Sequence, residues 1–365
     1  MKSCLVVIQN LTKSGSPQTF LHVIEALKKE GFVVDTYAYS VFDDKADLAM
    51  LKAYQDVCRN IYFNKINGNS LLYRFFPFLL LSSIKKLIKK GQYDMFLTNN
   101  FYISAYVAKK EYGKIKNIYY SLGNVNQKSK YWIFRRKDIY IKKLVTKVDA
   151  YIGISNLAFF DDIEVDSNKK FVLMDSPNNY YPNIVKDNNR DLTIGQIGYF
   201  SENKNQLFTI ELFNKVKECF PNATLLFVGY QSSDEPNYIE EIKKRVADLG
   251  LSNSVSFLPP NYDKEALFKQ IDVLLLPSFL EGLPISLMEA QFSNTPCIAS
   301  EFISSDADFG LLKRLPLNTD EWLKEIRNTD YKIPRRPKYI YTSEEFEKRI
   351  KYIIDYVFKS SSQSW

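Results

Sequence analysis

The sequence has little cysteine and almost no histidine, with four cysteines and one histidine in 365 residues. The cysteines stand at positions 4, 58, 219 and 297, without C-x2-C spacing, and none lies near His22. Zinc sites and disulfide frameworks both need closely spaced ligands or paired cysteines, so the sequence predicts neither. Reduced thiols in the cytosol are the simpler interpretation.

Long apolar runs are also missing. The N-terminal run Cys4–Ile8 is shorter than the roughly 7 to 15 apolar residues of a signal peptide, so we expect the protein to stay in the cytosol. The most apolar window, 75–81, is interrupted by Pro77 and falls short of the about 18 residues of a membrane span. With 45% hydrophobic and 25% charged residues, the composition excludes a disordered tail.

Charge is plentiful but unevenly distributed. Residues 1–175 contain 27 basic and 16 acidic side chains, a net charge of +11, whereas residues 176–365 contain 22 and 26, a net charge of −4. A basic half favours an anionic partner: nucleic acid, anionic lipid or a phosphate-bearing substrate. No nucleic-acid-binding motif accompanies the charge, so we expect no nucleic-acid partner.

Two segments, 73–90 and 128–147, interleave aromatic residues with lysine and arginine. This combination is typical of helices that lie on an anionic membrane surface. For 73–90, a buried helix with a solvated lysine face explains the pattern equally well. A peripheral position on the inner face of the plasma membrane is therefore one expectation.

Alternating strand and helix patterns predict two α/β domains with parallel sheets. Residues 4–8 form an apolar strand, 10–18 a loop, 19–29 an amphipathic helix and 32–39 a second strand. Residues 176–190, rich in asparagine and proline, are expected to link the domains. We expect a Rossmann-like domain over 1–175, a second one over 191–340 and a C-terminal helix within 341–365.

The most informative segment runs from Ile271 to Ala290. A buried strand ends before Pro277, and Pro284 is expected to open a helix, because a missing N–H costs nothing in the first turn. The amides at such a helix start carry partial positive charge and suit a phosphate. Glu281 precedes the helix and Glu289 lies within it, so two acceptors for sugar hydroxyls flank one anion-binding turn.

This segment resembles the Glu-x7-Glu motif of retaining GT-B glycosyltransferases of family 4, with Glu-Gly-Leu-Pro at its start and Glu-Ala at its end. The resemblance implies that Glu281 contacts the donor hexose and Glu289 the ribose of the nucleotide. The alternative is that Glu281 caps a helix and Glu289 is merely solvated.

A second element, Gly198–Asn205, resembles the family's G-R-L-x-x-x-K segment, whose arginine and lysine neutralise the donor diphosphate. Lys204 matches the lysine, whereas Tyr199 occupies the arginine position. The resemblance implies that Glu281 and Lys204 are catalytic. It also implies a set of donor-binding residues: Glu289, Gly282, Leu283, Pro284, Ile285, Gly198, Tyr199, Leu258, Pro259 and Gly15.

The N-terminal half matches the family less well. Gly15 stands where the family has a Gly-Gly loop, and the loop lacks G-x-G-x-x-G, so a nicotinamide oxidoreductase is not indicated. The family often has a histidine near the sugar, but His22 is expected on a helix surface. Polar residues at strand ends are candidates for the acceptor side: Asn99, Ser121 and Asn124.

Asp306 and Asp308 form a D-x-D sequence, the motif with which a different glycosyltransferase fold binds a metal ion. They follow the glutamate motif, where no donor-facing strand end is expected, so we expect no metal site.

The resemblance, strongest over 194–330, implies a GT-B architecture with two Rossmann-like domains facing across a cleft and a C-terminal helix crossing back to the N-terminal domain. It implies a metal-independent, retaining hexosyltransferase of bacterial capsular or exopolysaccharide synthesis, with a nucleotide diphosphate sugar as donor, UDP as the expected nucleotide, and no cofactor. The acceptor would be a lipid-linked or growing glycan. Two alternatives stay open: a non-catalytic sugar-nucleotide-binding component of an assembly complex, and a nucleotide-sugar 2-epimerase, whose catalytic histidines and carboxylates are not found.

Overall fold

The computed structural model describes residues 1–11, 15–39, 47–63, 77–100, 103–104, 107, 115–123, 147–159, 165–177, 180–186, 191–232, 235–331 and 333–359, with backbone only for 77–81. Asn124 and most of the basic segment 128–147 lie outside the described residues, as does the start of the segment 73–90. The chain forms two compact units, Met1–Asp175 with Ser343–Trp365, and Ser176–Thr342.

The first unit is built on a seven-stranded sheet in the order β3-β2-β1-β4-β5-β6-β7, in which all strand pairs are parallel. Its apolar central strands are buried, because helices cover both faces of a parallel sheet. The strands are β1 Ser3–Ile8, β2 Val33–Ala38, β3 Asn60–Phe63, β4 Met95–Thr98, β5 Lys116–Ser121, β6 Ala150–Gly153 and β7 Lys170–Val172.

The second unit has a six-stranded sheet in the order β10-β9-β8-β11-β12-β13, again parallel throughout. This order places β8 beside both β9 and β11, so the loops that follow these three strands meet at one sheet edge. The strands are β8 Thr193–Ile197, β9 Thr224–Val228, β10 Val255–Leu258, β11 Val273–Leu276, β12 Cys297–Ser300 and β13 Leu312–Leu315.

Helices connect most of these strands, as the alternating pattern predicts. In the described residues, the α-helices are α1 Gly15–Lys29, α2 Leu48–Val57, α3 Pro77–Gly91, α4 Gln206–Cys219, α5 Tyr238–Asp248, α6 Lys264–Gln270, α7 Ile285–Phe292, α8 Thr319–Asn328 and α9 Ser343–Lys359. Among the described residues, none of these helices combines the length and the apolar content that crossing a bilayer requires.

Two predicted helix starts are wrong. Helix α1 begins at Gly15 rather than at residue 19, so residues 15–18 of the expected loop are helical. Pro17 lies in the first turn, where a backbone N–H has no partner within the helix, so its missing N–H costs no hydrogen bond. Helix α7 begins at Ile285, and Pro284 is its N-cap, with extended backbone.

Helix α9 packs back on the first unit, as expected. Its buried residues recur at helical spacing: Phe346, Ile350, Ile353, Ile354 and Val357. Ion pairs with the end of α1 flank this stripe, Lys29 with Glu347 and Glu30 with Lys351. The predicted two-domain α/β fold with a returning C-terminal helix is confirmed.

Candidate active site

Two loops at the carboxyl edge of the second sheet hold the candidate catalytic residues. One follows β8 and forms a short 3-10 turn, Glu202–Lys204, and the other follows β11 and leads into α7. Asn203 joins them: its backbone oxygen accepts from the N–H of Phe279 at 2.9 Å, and its side chain donates to the oxygen of Leu280 at 2.9 Å. Asn203 and Leu280 are 77 residues apart in the sequence, and the β8-β11 pairing brings their loops together.

The ammonium of Lys204 forms an ion pair with the carboxylate of Glu281, and only 12% and 13% of the two side chains are exposed. Ser201 accepts from the backbone N–H of Lys204 at 3.4 Å, and Gln196 donates to its backbone oxygen at 2.7 Å. Asn205 ends the turn with φ 54°, a left-handed conformation that asparagine tolerates. The backbone is thus held on both sides of the lysine.

Tyr199 and Tyr230 are exposed aromatic residues beside this pair, 39% and 47% exposed. Their ring centroids lie 6.1 Å apart, and the Lys204 ammonium lies 5.4 Å from the centroid of the Tyr199 ring, a cation–π distance. Burial raises the pKa of the Tyr230 phenol, Tyr199 raises it further, and Lys204 lowers it. No motif in the sequence points to Tyr230, because only the position of β9 beside β8 brings it to Tyr199.

Gly198 and Gly229 make the closest backbone approach at this edge. A Cβ on Gly229 would lie 1.9 Å from the carbonyl oxygen of Gly198, so no larger residue fits without a shift of the chain. Gly198 has φ +154°, and a Cβ there would lie 3.3 Å from the Lys204 side chain. Two glycines therefore let the loops after β8 and β9 pack against each other.

Glu289 lies inside α7 and is buried, with 5% of its side chain exposed. Its Oε1 accepts from the ammonium of Lys264, the first residue of α6, at 2.5 Å. No motif in the sequence points to Lys264, which lies 25 residues before Glu289. Of the other expected donor-binding residues, Leu258 ends β10 and its backbone oxygen accepts from the N–H of Gly229 at 3.1 Å, and Pro259 is exposed.

The start of helix α7 lies between the two glutamates. Leu283 is buried, which fixes the chain as it enters α7, and the first-turn amides have no partner four residues earlier in the helix. The candidate positions Gly282, Leu283, Pro284 and Ile285 thus lie between Glu281 and Glu289 at one edge of the sheet.

Three described candidate residues belong to the first unit: Gly15, Asn99 and Ser121. Gly15 is the first residue of α1 rather than part of a loop, and the next residue, Ser16, accepts from the Asn99 side chain at 2.9 Å. Ser121 is buried, with its hydroxyl 3.4 Å from the oxygen of Gly123.

His22 is not the surface residue that the sequence predicts. Its side chain is 13% exposed, and Nδ1 lies 2.7 Å from Oδ1 of buried Asp175, whose Oδ2 accepts from Thr19 at 2.6 Å. Burial lowers the pKa of the imidazole, but the hydrogen bond and charge of Asp175, with Glu25, outweigh it and raise the pKa overall. His22 contacts Asp175, which is 153 residues away in the sequence. The spacing of residues in α1 therefore gives no signal of this contact.

Metal ligands do not come together in the part of the chain that the structure describes: no group of three His, Cys, Asp or Glu side chains is placed to hold an ion. Asp306 of the D-x-D sequence lies in a 3-10 turn, and its carboxylate accepts from Ser304 at 2.8 Å.

Comparisons with known proteins find a family match in the second unit. Residues 181–308 match the family model described as Glycosyl transferases group 1. EpsF of Bacillus subtilis (strain 168), which is named a glycosyltransferase, is 36% identical over 129 residues, 35% of this chain and 32% of EpsF. An Escherichia coli relative, named UDP-Gal:alpha-D-GlcNAc-diphosphoundecaprenol alpha-1,3-galactosyltransferase, is 25% identical over 60% of this chain and 61% of its own length.

These matches span less than two thirds of each relative. Among solved structures, Anabaena HepE in complex with UDP superposes with a TM-score of 0.69 at 16% identity, over 99% of both chains. Residues 181–308 are therefore similar to the group 1 glycosyl transferases, and the chain has the GT-B fold.

Proposed function

We propose that the protein is a retaining, metal-independent glycosyltransferase of family 4, which transfers a hexosyl group from a nucleotide diphosphate sugar to a lipid-linked or growing polysaccharide acceptor. One observation carries the proposal: the ion pair of Lys204 with Glu281, next to the start of the helix that holds Glu289. A cation, a helix start and two carboxylates are the groups that a sugar bound through a diphosphate requires.

Each group has a role in this proposal. Lys204 and the amides of α7 bind the diphosphate and stabilise the charge that develops when it leaves. Glu281 accepts hydrogen bonds from hydroxyls of the hexose, and Glu289 accepts those of the ribose. Lys204 and Glu281 pair with each other in this structure. When the donor binds, the diphosphate would become the partner of the Lys204 ammonium, and the hexose would become the partner of the Glu281 carboxylate.

The reaction needs no strong base on the protein. The acceptor hydroxyl oxygen forms a bond to the anomeric carbon on the face from which the diphosphate departs. The bond from that carbon to the diphosphate oxygen breaks, and the hydroxyl proton passes to the same leaving oxygen. Retention of configuration follows from attack and departure on one face.

UDP is the nucleotide that we favour, because HepE, of the same fold, has been solved with UDP and with UDP-glucose. A lipid diphosphate-linked glycan is the acceptor that we favour, in line with the name of the Escherichia coli relative. The +11 charge of residues 1–175 would suit such an acceptor and an anionic membrane surface. On this proposal, the protein is cytoplasmic and peripheral on the membrane.

Ligand-induced thermal shifts with UDP, GDP and ADP test the first step. A nucleotide at about 100 times its dissociation constant should add about 2.7 kcal/mol to the free energy of unfolding. If all three leave the melting temperature unchanged, the transferase proposal is wrong. Transfer from UDP-glucose and UDP-galactose to a glycan acceptor, with EDTA present and the product anomer read by NMR, tests metal independence and retention.

A non-catalytic sugar-nucleotide-binding component is the second candidate, and Tyr199 at the arginine position is the observation that favours it. Such a protein would show the thermal shift without hydrolysing or transferring the sugar. The Glu281→Ala variant distinguishes the two candidate functions. In an enzyme it should abolish turnover while the fold stays intact, whereas a binding component shows no turnover even as wild type.

Liposome sedimentation tests the membrane part of the proposal. Binding to anionic vesicles should weaken as salt increases, since charge attraction is screened over about 8 Å at physiological ionic strength. Equal binding to neutral and anionic vesicles at all salt concentrations would contradict it.

A further inference from the structure

Lys264 occupies a position that is unfavourable for a lysine. It is the first residue of α6, where the helix dipole disfavours a cation. Asp263, the N-cap, already accepts from the amides of Glu265 and Ala266 and accounts for the stability of this helix start. Helix formation therefore gives no reason for a lysine at position 264.

The contact of Lys264 with Glu289 supplies that reason. The carboxylate belongs to a residue that is 4% exposed, whereas the lysine side chain is 30% exposed, so the pair lies at the boundary between the core and solvent. The surroundings are acidic: after burial, Asp263, Glu265 and Glu289 all raise the pKa of the Tyr181 phenol. A buried carboxylate needs a charged partner, and Lys264 provides one from a separate helix.

The two glutamates of the site are thus held in the same way. Lys204 pairs with Glu281 and Lys264 pairs with Glu289, and each lysine comes from a different loop or helix of the second unit. Lys204 has a match in the family segment, but Lys264 has no counterpart in any motif that the sequence contains.

We propose that Lys264 is a positioning residue of the donor site, which holds the Glu289 carboxylate through Oε1 in the orientation that accepts hydrogen bonds from the ribose hydroxyls. The inference rests on the proposed function, since it gives Glu289 the ribose. Lys264 acts through Glu289 and does not itself touch the reacting atoms.

Calorimetric titration with UDP and with 2′,3′-dideoxy-UDP tests this role. The wild type should prefer UDP about tenfold or more, because the dideoxy analogue lacks the hydroxyls that would donate hydrogen bonds to the charged Glu289 carboxylate. Lys264→Met should bring the two affinities to within about threefold, and Lys264→Arg should restore most of the preference. In Lys264→Met combined with Glu289→Gln, the preference should be no smaller than in Glu289→Gln alone, since both changes act on one contact.

Lys269→Met is the matched control. This lysine lies on the same helix and pairs with Glu265 on the exposed face, so its loss should leave the preference unchanged. If Lys264→Met does not fold, as judged by its circular dichroism and melting curve, Lys264→Gln keeps a neutral donor at the position and should lower the preference to an intermediate value.

The outcomes distinguish this inference from the proposed function. No binding of UDP, GDP or ADP to the wild type would overturn both. Binding of UDP without a preference over the dideoxy analogue, or a full preference in folded Lys264→Met and Lys264→Gln, would overturn the role of Lys264 and leave the transferase proposal standing.

Discussion

The ammonium of Lys204 is paired with the carboxylate of Glu281, although 77 residues separate them in the sequence. Neighbouring strands β8 and β11 bring their loops together, and Asn203 ties the two loops through its backbone and side chain. Since both side chains are nearly buried, each holds the other in place where a diphosphate sugar is proposed to bind. Because one side chain is a cation and the other an anion, we expect their replacement to affect different parts of the donor.

Replacing Lys204 should weaken binding of the diphosphate, whereas replacing Glu281 should weaken binding of the hexose. Lys204→Met removes the cation and should weaken UDP binding about tenfold or more. Glu281→Gln should leave UDP affinity within about threefold, because UDP has no hexose, while sugar transfer falls about 100-fold. Titration with UDP and a transfer assay give the two values.

Lys215→Met is the control for these variants, since Lys215 pairs with Asp320 on an exposed face of the same unit. Its affinity for UDP should match that of the wild type. An equal loss of UDP affinity in Lys204→Met and Glu281→Gln would mean that the pair acts as one structural unit rather than as two ligand-binding groups.

Tyr199→Arg should strengthen diphosphate binding. The change returns a cation to the position where the family segment has arginine, beside Lys204. We expect UDP affinity to rise up to about tenfold, with a steeper decrease as salt is added. Tyr199→Phe, which keeps the ring, should behave like the wild type. A Tyr199→Arg variant with unchanged affinity at low salt would show that the diphosphate does not reach this position.

The sequence predicts the centres of the buried strands well, because each is a short apolar run bounded by turn residues. It misses β3, β7 and β13, three edge strands that lack such a run. Apart from the buried Phe171, their residues are half exposed or exposed. It also misses α2, which starts with an aspartate cap but has few buried residues. Local patterning identifies elements that face a core, and edge elements depend on pairing with neighbours that the local sequence does not contain.

The candidate site is predictable to the same extent. Glu281 and Glu289 follow from a strand, a loop and a helix within 20 residues, so one segment contains the signal. Lys264 and Tyr230 reach the site only through the order of strands in the sheet. His22 acquires its role from Asp175, 153 residues away, and no spacing rule connects the two.

The contact of His22 with Asp175 should make stability depend on pH. The folded-state pKa of His22 is raised, so its stabilising contribution is complete below the ordinary value of about 6.5 and is lost as pH rises through the folded-state pKa. The melting temperature of the wild type should therefore decrease from about pH 6 towards alkaline pH more than that of His22→Gln.

NMR gives the corresponding titration directly, because His22 is the only histidine in the chain. Its imidazole should titrate above the value in an unfolded peptide, and Asp175→Asn should bring it down. Identical pH profiles of melting for the wild type and His22→Gln would contradict the prediction.

The buried carboxylate of Asp35 should contribute stability that acid removes. Burial alone raises the pKa of this group, but hydrogen bonds from Arg59, Tyr93 and Asn60 lower it overall. Its contribution is therefore present above the ordinary pKa, near 3.8, and is lost as pH falls through the lower folded-state value.

Tyr93→Phe removes one of these bonds, of 2.6 Å, and should lower the free energy of unfolding by about 1.5 to 3 kcal/mol at neutral pH. The difference from the wild type should shrink as Asp35 becomes protonated in acid. Tyr352→Phe, at an exposed position, is the control and should be neutral. Urea unfolding at pH 7 and at successively lower pH provides the measurement.

Gly229→Ala should disturb the site without touching a proposed ligand contact. The added Cβ would lie 1.9 Å from the carbonyl oxygen of Gly198, and neither backbone segment is the flexible end of a side chain that can swing away. The loop after β8 must then shift, and it carries Tyr199 and Lys204. We expect reduced stability and at least about tenfold weaker UDP binding, since the ammonium no longer lies where Glu281 and the diphosphate meet.

Gly123→Ala is the matched control, because a Cβ there would meet no described atom within 4 Å. Wild-type UDP affinity in a folded Gly229→Ala protein would show that the donor does not depend on the position of this loop.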